Sequence, residues 1–296
     1  MITKKTLLYN FIFGASTDTK IKTYYHLLEP LFHTMSDHNM FLNLGYHDKK
    51  KSFPNSIVTT QKNMVENVTR DFNKSGLWLD VGCGTGAPAC YLSKMYNDIK
   101  IEGINIVENQ IVKARLLAEQ KEVNDKVQFL FGDACHLYSE NESYDNIYAI
   151  ESAFHFENKL KFIKEARRTL KPDGKIAIAD IVYKPELAKI TDFYKVAIAK
   201  HGLATKEFYS ESKWTSLLRK QNFKDIIIED ITINVASVLP EWIKLIKTNE
   251  HKLLPLYPKI FLTMLCKCLQ YAADKKDNSI FGYVIIRGKR RSFILS

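Results

Sequence analysis

From Leu77 to Ile181, short runs rich in β-branched and aromatic residues alternate with amphipathic stretches. The runs are Leu77 to Val81, Ile99 to Ile104, Val127 to Phe131, Tyr144 to Ile150 and Lys175 to Ile181. Between them, Pro88 to Tyr96, Glu108 to Glu122 and Asn158 to Leu170 carry helical spacing, the last closed by a turn at Pro172-Asp173-Gly174. Strands separated by helices of this length predict crossover units and a parallel sheet, hence an α/β fold. Before this region the texture is helical, with Ile57, Val58, Met64, Val65 and Val68 on one face and Asn55 or Ser56 as N-cap. After it the pattern is helical to about residue 222, strand at Asp225 to Ile233, helical from Pro240 to about Ala273, and strand again at Phe281 to Arg287. The expected division is an N-terminal helical cap segment over 1–75, a ligand-binding core over 76–182, a mainly helical insertion or lid over 183–273 with one core strand near 225–233, and a last core strand with a basic tail over 274–296.

The first strand runs into Asp80-Val81-Gly82-Cys83-Gly84-Thr85-Gly86 and then a helix. Glycines at this junction let backbone approach a nucleoside and aim a helix N-terminus at it. A dinucleotide reader would also tolerate such a loop, but it wants an acid at the end of the second strand, about 20 residues on. Glu102 lies inside that strand, and Asn105 holds its end.

The order of signals beyond the loop separates the two readings: Gly132-Asp133-Ala134 after the third strand, Tyr144-Asp145 opening the fourth, and Leu170-Lys171-Pro172-Asp173-Gly174-Lys175 before the fifth. Together these resemble the successive motifs of class I S-adenosylmethionine-dependent methyltransferases. The resemblance implies a Rossmann-like sheet, mostly parallel with an antiparallel last strand, helices on both faces and a helical cap. It also implies S-adenosylmethionine as cofactor, S-adenosylhomocysteine as product and no metal. Gly82, Gly84 and Gly86 would then face the methionine and ribose portion, Asp80 would place the amino group, and Asp133 with the Ala134 amide would bind the adenine edge. Taken alone, Asp133 is equally a turn residue.

Asn43-Leu44-Gly45-Tyr46, Gly103-Ile104-Asn105-Ile106 with Gln110, and Glu151-Ser152-Ala153-Phe154-His155-Phe156 resemble a small-molecule subfamily that includes the rebeccamycin sugar O-methyltransferase and the tocopherol and sarcosine methyltransferases. His47 stands where that subfamily often has Trp, and Phe154 where the sugar enzyme has a second His. The resemblance gives Asn105 or Gln110 the ribose hydroxyls, Glu151 a cofactor or substrate contact, and His155 with Asp180 the roles of general base and its orienting acid. Tyr25, Tyr46 and Phe154 become candidate substrate contacts. Each has a structural alternative: an exposed helix residue for Gln110, a solvated strand-end acid for Glu151, a helix cap for His155, a turn acid for Asp180, and core packing for Tyr24 or Tyr25.

The net charge of +10 arises from 43 Lys and Arg against 33 Asp and Glu, with runs only at Lys49-Lys50-Lys51 and Lys289-Arg290-Arg291. Scattered lysines read as a solvated surface more than as a footprint for nucleic acid. The Asp/Asn-Pro-Pro-aromatic tetrad that nucleobase amino methyltransferases usually carry after the fourth strand is replaced by Glu151-Ser152-Ala153-Phe154, which disfavours a nucleic-acid substrate. Five cysteines, Cys83, Cys90, Cys135, Cys266 and Cys268, lack disulfide or metal-ligand arithmetic and suit a reducing cytoplasm. Lys4 to Ala15 reads as a helix of the mature protein, not a leader. The stretch Lys259 to Leu269 would serve as a lid or a homodimer contact before it would serve as a membrane-surface helix. Phe193, Tyr194, Phe208, Tyr209 and Trp242 suggest an apolar or ring-shaped acceptor. The resulting expectation is methyl transfer to oxygen or nitrogen of a metabolite or natural product. The alternatives are a non-catalytic S-adenosylmethionine-binding module and a C-methyltransferase acting on a ring or isoprenoid.

Overall fold

The computed structural model describes residues 17–35, 39–189, 192, 195, 196, 199, 200, 203–274 and 279–292. The expected helix at Lys4 to Ala15 and the aromatics Phe193 and Tyr194 lie outside them. The described helices and strands, in chain order, are α1 (Thr17–Met35), α2 (Ile57–Thr69), β1 (Gly76–Val81), α3 (Ala87–Met95), β2 (Ile99–Asn105), α4 (Glu108–Gln120), β3 (Val127–Phe131), β4 (Tyr144–Ile150), α5 (Lys159–Thr169), β5 (Leu170–Tyr183), α6 (Glu211–Lys220), β6 (Phe223–Asp230), α7 (Thr232–Ala236), α8 (Leu239–Thr248), α9 (Glu250–Leu253), α10 (Lys259–Asp274) and β7 (Phe281–Arg290).

The strands form one sheet in the order β3-β2-β1-β4-β5-β7-β6. The first five are parallel, and β7 runs antiparallel to both β5 and β6. The fold class is therefore the one expected. Order reverses between β1 and β4, and at such a switch point the chain ends leave a crevice at the carboxyl edge of the strands.

Alternation along each strand splits the core into two layers. On one face Trp78, Tyr148, Ala177 and Ile285 pack with Met64, Val65 and Val68 of α2, Leu92 of α3, Ala114 of α4 and Trp242 of α8. On the other, Leu79, Val81, Ile147, Ile178 and Ile286 pack with Phe162 and Ile163 of α5 and Trp214 and Leu218 of α6. Each such fully buried large side chain contributes about 1.5–3 kcal/mol of burial free energy. Local chemistry sets the helix starts. Ser56 accepts from the Val58 amide at 3.2 Å, and Asn158 accepts from the Lys161 amide at 3.0 Å.

Two local expectations are revised. The turn at Pro172-Asp173-Gly174 is an insertion within β5: Tyr144 pairs with Leu170 and Asn146 with Lys175, with Asp173 at φ +61° between them. The strand expected to reach Ile233 stops at Asp230, whose carboxylate accepts from the Thr232 amide at 2.8 Å and starts α7.

Gly86 shows how the core constrains the loop. It has φ +78°, and a Cβ there would stand 2.6 Å from Phe129 Cζ and 2.8 Å from Ala114 Cβ. Backbone strain and overpacking act together, so Gly86→Ala should destabilise the protein by about 3 kcal/mol in urea unfolding. Gly84, whose Cβ would meet only the flexible Leu42 Cδ1 at 3.1 Å, should cost about 1 kcal/mol as Ala. Equal losses at the two positions would contradict this account.

Candidate active site

The carboxyl ends of β1, β2 and β4 meet the 40–44 segment and α1 around two small cavities. One, of about 40 Å³, is lined by Tyr25, Leu42, Asn43, Asp80, Gly82, Gly84 and Glu151 among others. The other, of about 60 Å³, is lined by Tyr25, Gly82, Gly84, Asn105, Gln110, Asp133, Ala134 and His155 among others. Tyr25, Gly82 and Gly84 border both. Pockets for drug-sized ligands hold roughly 300 Å³ or more, so a ligand spanning both cavities requires their lining to open. Two contacts hold α1 down. The Glu29 carboxylate bonds Lys113 of α4 and, at 3.2 Å, His33, and the Tyr257 hydroxyl donates to the Leu27 carbonyl at 2.5 Å.

The first cavity gathers buried carboxyl groups. Asp80 is 2 % exposed, and its Oδ2 has no hydrogen-bond partner among the described residues. Burial, opposed by the nearby Tyr148 hydroxyl, raises its pKa to about 7. The Asn43 side-chain amide is buried with both polar atoms unpartnered. Glu151 adopts φ +50° and accepts from the Leu44 amide at 2.7 Å. Desolvation, with Tyr283 and Leu44 hydrogen bonding in opposition, raises its pKa to about 7. Cys83 also lines this wall, and its thiol is held well above its usual pKa by burial and then by Asp80.

The second cavity carries neutral donors and acceptors. Asn105 donates to Gln110 Oε1 at 2.7 Å and leaves the Gln110 amide nitrogen without a partner. Gln110 is 1 % exposed, so the exposed-helix alternative does not hold. Asp133 is committed to its turn, accepting from the Cys135 amide at 2.8 Å and facing His136 Nδ1 at 3.1 Å. A carboxylate retains lone pairs beyond these two.

Several expected placements are corrected. Gly86 lines neither cavity and instead packs on Phe129 and Ala114. Tyr46 lies in a different surface groove with His47, Glu66 and Arg70. Phe154 borders neither cavity; its ring leans on His155 at 4.1 Å between centroids. Asp180 does not bond His155. Its Oδ1 accepts from its neighbour's amide, Ile181, at 2.9 Å, and its Oδ2 is unpartnered. The pleat places Asp180 on the same face of β5 as Ile178 and Val182, the side of α5 and Lys159, where burial, opposed first by Lys159, raises it to about 7.

His155 is 4 % exposed in the turn Ala153–His155. Its Nδ1 faces the Ala204 carbonyl at 3.5 Å, Nε2 has no partner among the described residues, and Tyr24 and Tyr25 meet it edge-on at 5.3 and 5.4 Å. Burial above all lowers its pKa to about 3, so the imidazole is neutral. Residues not singled out from sequence also contribute. Tyr283 on β7 has a buried hydroxyl beside Glu151 and Asp180, and Ser152 donates to the Val81 carbonyl at 2.7 Å.

Residues 79–178 match a family model described as a methyltransferase domain. The O-methyltransferase cnsE of Penicillium expansum is 32% identical over 218 residues, covering 72% of this chain and 71% of that protein. The chain belongs to the class I S-adenosylmethionine-dependent methyltransferases. The 27-O-demethylrifamycin SV methyltransferase of Amycolatopsis mediterranei is 30% identical over 167 residues, covering 56% of this enzyme and 59% of that one. The matched stretch is 39% and 59% of the length of the first two relatives. In fold, this methyltransferase is similar to a putative sarcosine dimethylglycine methyltransferase from Galdieria sulphuraria, with TM-score 0.78, 16% identity and coverage of 92% and 100%.

The unpartnered Asp80 Oδ2, Asn43 amide and Gln110 nitrogen fit the ammonium, carboxylate and ribose groups of this cofactor class. Since the ligand is cationic and Asp80 and Glu151 titrate near 7, affinity for S-adenosylmethionine should fall about tenfold per unit from about pH 8 to about pH 6. Asp80→Asn should flatten that dependence in calorimetry. The unliganded protein carries the opposite sign. Asp80, Asp180 and Glu151 keep protons in the fold that the unfolded chain releases near the ordinary values of 3.8 and 4.5, so stability should fall as pH rises from there toward 7. A melting temperature that rises over that interval would refute it.

Proposed function

We propose that this enzyme transfers the methyl group of S-adenosylmethionine to a hydroxyl oxygen of a small, ring-bearing metabolite, with His155 as general base. The observation that carries the reading is a buried, neutral imidazole whose Nε2 is bare at the wall of the cofactor cavity. Two relatives support oxygen as the acceptor atom, since the Penicillium expansum protein is named an O-methyltransferase and the name of the Amycolatopsis mediterranei protein specifies a 27-O position.

When bound, the sulfonium supplies an electrophilic methyl group. Asp80 and Asn43 would anchor the amino-acid end, Asn105 and Gln110 the ribose, and Asp133 with Ala134 the adenine. Glu151 would border the methyl-bearing region. The acceptor oxygen would take this methyl group, with S-adenosylhomocysteine as the other product, and its hydroxyl proton would pass to His155 Nε2. A base of low pKa suffices, because the proton becomes strongly acidic only as the carbon–oxygen bond forms. Tyr24 and Tyr25, packed edge-on against the imidazole, would shield this proton from water. Asp180, with its free Oδ2, would address the acceptor and not the imidazole.

Presented with a panel of phenols and hydroxylated macrocycles, the enzyme should release S-adenosylhomocysteine only in the presence of an acceptor. His155→Ala should lower kcat by about 10²–10⁴-fold while retaining cofactor affinity. Undiminished turnover in that variant would remove the base assignment. Absence of S-adenosylhomocysteine binding would remove the whole reading.

A further inference from the structure

With Asp180 turned elsewhere, the orientation of His155 needs another source. The ring nitrogen Nδ1 points at backbone, the Ala204 carbonyl at 3.5 Å. Ala204 is 4 % exposed and sits at φ +47°, a left-handed conformation that a non-glycine residue holds only when its surroundings impose it. The imposition comes from the loop carrying His155 itself. The Phe154 carbonyl accepts from Lys159 Nζ at 3.2 Å and from the Thr205 hydroxyl. Both donors reach one further atom, the Glu207 carbonyl, at 3.0 Å from Lys159 and 3.3 Å from Thr205.

Lys159 is unusual in this setting. It is 4 % exposed, and among the described residues no carboxylate lies within ion-pair distance of it. Its ammonium is satisfied by carbonyls and by the Tyr209 ring, 5.3 Å from the centroid. A buried lysine without an ion pair is costly, and here its donors go to the two chain segments that must stay in register.

We propose that Lys159 and Thr205 are positioning residues: they clasp residues 203–207 to the Phe154 carbonyl, hold the Ala204 carbonyl against His155 Nδ1, and leave Nε2 unprotonated toward the acceptor. The inference rests on the reading of His155 as base, and it replaces a carboxylate orienter with a peptide carbonyl. A carbonyl accepts one proton's hydrogen bond without adding charge. It therefore selects the tautomer while raising the basicity of the imidazole less than a buried carboxylate would. Because the clasp joins the turn after β4 to the segment leading into α6, the base is held by a different part of the chain from the residues that hold the cofactor.

The decisive measurement is the tautomer of His155 in ¹⁵N-histidine-labelled enzyme bound to S-adenosylhomocysteine, with the resonance assigned by His155→Gln. The expected state is Nδ1–H with Nε2 bare; an Nε2–H ring in the unmodified enzyme overturns the clasp, whatever the variants do. Thr205→Val and Lys159→Met should shift the ring toward Nε2–H and lower kcat about 10–100-fold with the hydroxylated acceptor found in the panel, while the KM for S-adenosylmethionine changes little. Thr205→Ser, which keeps the hydroxyl, should restore both the tautomer and kcat. A Thr205→Val enzyme with unchanged tautomer and kcat overturns the proposal. The two readings fail separately: full turnover in His155→Ala discards the base, whereas an unchanged tautomer and kcat in Thr205→Val discard the clasp and leave the base standing.

Discussion

The organisation of the site depends on how closely two chain reversals pack at the carboxyl edge of β1 and β4. Both strands end at the switch point of the sheet, and both must turn without filling the crevice between them. A Cβ on Gly82 would stand 2.4 Å from the Ser152 Cβ, so the turn after β1 lies directly on the turn after β4. Ser152 ties the two further by donating to the Val81 carbonyl. Everything that follows in either turn inherits this contact: Gly84 and Asp80 on one side, Glu151 and His155 on the other. The distance between cofactor groups and the proposed base is thus set by backbone packing in the most rigid part of the sheet.

A second consequence of that crowding is dry carboxylates. Among the described residues Asp80, Glu151 and Asp180 make no ion pair, and burial pushes each to about 7. On the proposed reading, charge complementarity toward a sulfonium ligand would be stored as a cost in the folded chain, which the ligand would relieve. The cap works in the same direction. Trp242 of α8 donates to the Leu44 carbonyl at 2.8 Å, and Leu44 in turn donates to Glu151, so the insertion, the N-terminal segment and the end of β4 form one continuous chain of contacts.

The sheet was legible in the sequence because its strands are buried on both faces and its helices show their stripes over several turns. Interruptions within elements were not: the insertion at 171–174 reads as a turn because Pro172-Asp173-Gly174 has turn chemistry, yet strand pairing resumes on both sides of it. In the site, residues in ordered motifs were found, and Asp80, Gly82, Gly84, Asn105, Gln110, Asp133, Ala134, Glu151, Tyr25 and His155 do line the two cavities. Tyr46 and Phe154 were chosen by adjacency to a motif, which says nothing about the direction of a side chain. Lys159, Ala204 and Tyr283 were invisible for a different reason. Their roles arise from a carbonyl, a buried amine and a register with β5, none of which has a sequence signature.

Cys83 sits in the wall of the first cavity between two of the loop glycines. On the proposed reading a strong alkylating agent would occupy this space, and a thiolate is the side chain most prone to capture it. Burial and the neighbouring Asp80 hold the Cys83 thiol in its protonated, poorly nucleophilic form. The same negative potential that would favour a sulfonium would thereby shield the protein from methylating itself.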